Sequence, residues 1–240
     1  MEVKIPKLLK KCPIVDVVVE IRFNAKIDSN AVFGVLYNSL NKKYQGPVTQ
    51  IQLPPPLMPI PQNGSFIPFF NITNKDHTIK IGPNVLIIGI AFPYMGWTKF
   101  SAISEEILKI ALGTGIIGDV LRLGLRYRNF FEGDITDNLT FSLSNFRHKP
   151  KNLNIRIEVD EDNVHSVMQY ANNAVLENKA NQIKKLGSIV DIDSYRTYSS
   201  ALNFKANLKK ELNMVHDAEK NVFFSLLKEN FLNTFGPEYE

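Results

Sequence analysis

Cysteine is nearly absent: Cys12 is the only one in 240 residues. A single thiol excludes an internal disulfide and every zinc site built from two or more cysteines. A nucleophilic thiol needs a base beside it; Cys12 is followed by Pro13 at the mouth of a strand, has no such neighbour in the sequence, and reads as idle. The four histidines, His77, His148, His165 and His216, show no metal-ligand spacing. No phosphate-binding P-loop, nucleophile elbow or kinase signature occurs. No catalytic residue, metal or cofactor is therefore expected.

Charge of one sign is also lacking. The 28 Lys and Arg stand against 24 Asp and Glu, for a net charge of +4 and a pI near 9.0. Lysines gather loosely at Lys4, Lys7, Lys10 and Lys11, and again at Lys205, Lys209 and Lys210, without a dense run. Nucleic-acid binders concentrate such residues on one face, so these read as solvated surface. Long apolar runs are missing, so no transmembrane helix is expected. The basic opening leads into an apolar stretch broken by Asp16 and Glu20, which is not a secretory signal. The expectation is a cytoplasmic protein with no membrane contact.

What the chain does have is core-forming material. The apolar fraction is 44%, with 16 Phe and 8 Tyr, enough for a sizeable core. Residues 13–23 alternate Val15, Val17, Val19, Ile21 and Phe23 with a wetter face, as an antiparallel strand does. A helix follows, capped by Asp28 or Ser29, with the stripe Val32, Val35, Leu36 and Leu40. Prolines 54, 55, 56, 59, 61 and 68 exclude a central strand after a short one at 48–53. That segment reads as a ligand motif for a partner domain or as a rigid loop on the protein's own surface; the interleaved Leu57, Met58 and Ile60 favour the loop. Strands at 66–73, 78–81 and 85–92 surround a Gly82-Pro83-Asn84 turn. Trp97 leads into a helix that Gly113 and Gly115 stop, before a strand at 120–131.

The second half echoes this order. A strand at 152–159 precedes a helix with Val164, Val167, Met168, Ala171 and Val175. Asp28, Val32, Val35 and Leu36 fall beside Asp160, Val164, Val167 and Met168 at one offset. A strand at 187–195 and a long helix over 207–234 complete the chain. The fold expected is α+β: two similar lobes of mostly antiparallel sheet, 1–145 and 146–240, joined as one unit, with helices on one face and a long C-terminal helix.

Five groups of residues could carry chemistry. Gly113-Thr114-Gly115-Ile116-Ile117-Gly118 matches G-x-G-x-x-G, but it follows a helix and opens a strand, the reverse of a dinucleotide site. Alternation on the 120–131 strand puts Arg122, Arg126 and Arg128 in one ridge, able to grip phosphates or a partner's carboxylates. Cross-strand pairing with Asp191, Asp193 or Glu20 would neutralise that ridge. Asp191 and Asp193 alone are too few for a divalent metal. Tyr94, Trp97, Tyr195 and Arg196 are candidates to stack on a small ligand between sheet and helices. His216, at the edge of the last helix's apolar stripe, reads as a packing histidine before a general base.

Several stretches carry a resemblance: residues 13–23 (PIVDVVVEIRF), Gly96-Trp97 with Phe100, Leu123-Gly124-Leu125-Arg126-Tyr127-Arg128-Asn129, Val190-Asp191-Ile192-Asp193, and a C-terminal helix with His216, Phe223 and Gly236-Pro237. Together they resemble a sporadically distributed, functionally uncharacterised prokaryotic family of about this length. The resemblance implies no activity; the patchy distribution implies mobile genes, such as phage-defence or toxin–antitoxin neighbourhoods. The expected role is a binding or regulatory protein rather than an enzyme, with a protein partner or a homo-oligomer. Nucleic-acid binding or processing through the arginine ridge, and a small-molecule pocket, are the alternatives.

Overall fold

The computed structural model describes residues 4–52, 66–90, 92–142, 147–148, 150–178, 183–198 and 204–239. The chain is α+β, with strands β1 (Leu8–Leu9), β2 (Ile14–Ala25), β3 (Val48–Gln50), β4 (Phe70–Thr73), β5 (His77–Gly82), β6 (Val85–Ile90), β7 (Ile117–Glu132), β8 (Asn154–Glu161), β9 (Val164–Asn178), β10 (Ile183–Thr197) and β11 (Pro237–Glu238). The helices are α1 (Ser29–Leu40), α2 (Trp97–Gly113), α3 (Leu208–Leu226) and α4 (Glu229–Asn233). The described strand pairs are antiparallel, as the alternating patterns require. Among the described residues no helix is long and apolar enough to cross a membrane.

The chain forms two compact units. One comprises 17–125 and 195–214, the other 1–16, 126–194 and 215–240. Both are discontinuous, whereas the sequence suggests a single cut at 145/146. The long strands β2, β7 and β10 each contribute to both units.

In the unit of 17–125 and 195–214 the strand order is β3-β4-β5-β6-β2-β7. The apolar row of β2, Val17, Val19, Ile21 and Phe23, is buried, and each such side chain contributes about 1.5–3 kcal/mol. The Asp28 carboxylate caps α1 by accepting from Asn30 N at 2.9 Å. Val32, Leu36 and Leu40 are buried, and α1 packs on α2 and β5. β5 and β6 form a hairpin closed by Pro83-Asn84, with Gly82 opposite Val85. The proline-rich segment lies mainly outside the described residues.

In the other unit the order is β7-β10-β9-β8. Its core gathers Phe131, Leu139, Tyr170, Ile192 and the α3 residues Phe223 and Leu226. Here the structure corrects the sequence reading. Residues 164–178 form the strand β9, not a helix, so the offset that aligned the two halves sets a strand beside a helix. The decisive feature is the turn: Asp162 and Asn163 have φ of 49° and 60°, and Glu161 pairs with Val164. That is a two-residue hairpin loop with both residues left-handed, which Asp and Asn tolerate. The expected C-terminal helix also breaks. Leu227 bridges Leu139, and Lys228 N donates to Asn138 O at 2.9 Å before α4 begins.

Candidate functional site: the arginine row of β7

Strand alternation places Arg122, Gly124, Arg126 and Arg128 in one row of β7, while Leu123, Leu125 and Tyr127 are buried on the other. Arg122 and Gly124 belong to one unit, Arg126 and Arg128 to the other.

In the 17–125 unit, Arg122 is buried. Its Nη1 donates to Glu20 Oε1 at 2.7 Å, and Arg22 Nε donates to the same oxygen at 2.6 Å. The Arg122 guanidinium also stacks on the Tyr195 ring, 4.2 Å from its centroid. Gly124 makes this possible: a Cβ there would stand 2.3 Å from Arg122 Nη1. Glycine is thus what lets the arginine lie back along its own strand.

In the other unit Arg126 grips Asp191 with a fork. Nε reaches Oδ1 at 2.6 Å and Nη2 reaches Oδ2 at 2.5 Å. Arg128 Nε donates to the same Oδ2 at 3.2 Å. The Asp191 side chain is 12% exposed, against 43% for Arg126 and 38% for Arg128. The hydrogen bonds to Asp191 hold the Arg126 guanidinium protonated above its ordinary range, with the charges of Asp193 and Asp16 adding to them. Two guanidinium groups therefore share the Asp191 carboxylate. The cross-strand pairing that would neutralise the ridge is present, and Asp191 is committed to arginine.

The remaining candidates have partners of their own. Arg196 Nη1 pairs with Glu211 Oε2, which also accepts from Tyr198 OH at 2.7 Å. Burial, then Glu211, pushes the Tyr198 phenol upward. Trp97 Nε1 donates to Asn213 Oδ1 at 3.1 Å, and Tyr94 is half-buried. The Tyr195 ring lies under Arg122. Burial, with Lys220 nearby, lowers the His216 imidazole to about 3, leaving it neutral near pH 7. Its ring centroid lies 6.4 Å from that of Tyr127. Among the described residues no group of three or more His, Cys, Asp or Glu could hold a metal ion.

Glu219 is a titratable residue that the sequence analysis does not single out. Glu219 is 5% exposed, and burial raises its carboxyl to about 8. The signal was there: Glu219 lies one turn from Val215 and one from Phe223, on the apolar stripe itself. No protein-family model matches this chain, and no curated protein matches it.

Proposed function

We propose that the chain acts by binding rather than by catalysis, and that Arg126 and Arg128 of β7 recognise a protein partner. The observation that carries this is the charge balance around Asp191. Arg126 and Arg128 keep part of their side-chain surface exposed while both bond Asp191, and the charges of Asp193 and Asp16 also act on Arg126. Such a mixed surface exchanges ion pairs with another protein and repels a polyanion. The motif resemblance extends the proposal: the partner belongs to a mobile prokaryotic defence or toxin–antitoxin-type system in the cytoplasm.

The half-exposed arginines are what favour the rival reading, a nucleic-acid surface. A titration of single- and double-stranded DNA and RNA at several salt concentrations separates the two. The binding-protein reading expects weak association that is unchanged by Arg126→Ala with Arg128→Ala. Micromolar binding at physiological salt, lost in a double variant that melts normally and with a salt slope flattened by roughly one unit per arginine, would establish the rival.

A further inference from the structure

The strand β8 ends the order β7-β10-β9-β8, so among the described residues it has a sheet neighbour on one side alone. The opposite edge strand, β3, is three residues long; β8 has eight and contains no Pro, Gly or Lys. Short length, proline and lysine are among the usual protections of an edge; β8 has none of these three, and its four charged residues, Arg156, Glu158, Asp160 and Glu161, are of both signs. It also exposes Ile157 (37%) and Val159 (39%).

The phase of its ladder is fixed. Asn172 N donates to Leu153 O at 3.1 Å, and Asn154 pairs with Ala171. The odd residues Ile155, Ile157 and Val159 thus turn their main-chain groups to β9. The even residues Asn154, Arg156, Glu158 and Asp160 turn theirs to the open edge. Side chains follow the same alternation. Ile157 and Val159 line an open groove of about 580 Å³ with Phe141, Met168, Val222 and Leu226. Arg156 and Glu158 share the other face and bond each other.

A second β8 docking antiparallel must set even residues opposite even residues. Two such registers pair most of the strand. In one, Glu158 faces the Glu158 of the other copy and Ile155 faces Glu161. In the other, Arg156 faces Glu158, Glu158 faces Arg156, Ile155 faces Val159, and Ile157 meets its own copy on the two-fold axis. The second register joins opposite charges twice on one face and leaves an uninterrupted apolar row on the other.

We propose that β8 is a homodimerisation edge, in which two copies join their sheets through antiparallel β8 strands centred on Ile157, with reciprocal Arg156–Glu158 pairs. The interface is isologous, as a two-fold dimer requires. This inference is independent of the role of the β7 row.

The test is a charge-reversal mixing experiment read by sedimentation equilibrium. Wild type is expected to be a dimer. Arg156→Glu alone brings four carboxylates together, and Glu158→Arg alone brings four guanidinium groups together. Each is expected to weaken self-association roughly tenfold or more. Neither variant retains the pair within its own strand, yet an equimolar mixture regains both pairs between chains and is expected to dimerise. Ile157→Lys, at a half-exposed position, places two ammonium groups on the axis and is expected to be monomeric; it serves if a reversed chain fails to fold. A monomeric wild type, single variants that remain dimers, or a mixture that stays monomeric would each overturn the proposal.

Discussion

At the scale of single residues, Gly124 and Glu219 show how context overrides residue type. Glycine within a strand ordinarily weakens it, and Gly→Ala is then stabilising. Here the methyl group would displace Arg122 from Glu20 and Tyr195. Gly124→Ala is expected to destabilise by on the order of 1 kcal/mol in wild type, and to be neutral or stabilising beside Arg122→Ala. Chemical denaturation of the four proteins of that cycle measures the difference; equal effects in both backgrounds would contradict the packing described. Glu219 makes a pH prediction. Its folded pKa, about 8, lies above the ordinary 4.5, so stability is full below about 4.5 and falls as pH rises toward 8. His216 works in the opposite sense: with a folded pKa of about 3, it lets stability rise from pH 3 to about 6.5. The two slopes oppose each other between 4.5 and 6.5. The net loss attributable to Glu219 therefore appears from about pH 6.5 to 8, on the order of 1 kcal/mol per pH unit. Glu219→Gln is expected to flatten that limb in melting curves; an unchanged limb would show that the carboxyl ionises freely in the fold.

Among the elements, the β8–β9 hairpin marks where the sequence was legible and where it was not. Period-two alternation located β2 and β7 because one face of each is apolar and the other polar. A cap at Asp28 or Ser29, which the structure resolves to Asp28, and the Gly82-Pro83-Asn84 turn were legible because local chemistry dictates them. Strand β9 was not, because apolar residues stand on both its faces, Val164 and Met168 on one and Val167 and Ala171 on the other, and their spacing imitates a helix. Asp162-Asn163 carried the contrary signal. Since both residues have positive φ, Asn163→Gly is expected to hold or raise stability, while Asn163→Val is expected to cost about 1–2 kcal/mol. Thermal melts of the two variants check this; a tolerated valine would mean the turn is not left-handed.

Taken as a whole, the molecule is governed by pairing of charge rather than by its excess. A net +4 spread over 240 residues gives little field to attract a polyanion, and the arginines of the β7 row are tied to Glu20 and Asp191. The pairing was legible as an expectation, because arginine and aspartate shared faces on candidate strands. The division into units was not, because β2, β7 and β10 each serve both and no linker marks a boundary. The pairing itself is tested most directly by a double-mutant cycle on Arg126 and Asp191, using Arg126→Ala, Asp191→Ala and both together in denaturant unfolding. Removing Arg126 leaves a mostly buried carboxylate with Arg128 alone, and the partial exposure of the arginines tempers the loss. The expected result is a coupling on the order of 1 kcal/mol, with the double variant losing less than the sum of the singles. Additive effects, with Arg126→Ala as stable as wild type, would contradict it and free the arginine row for another ligand.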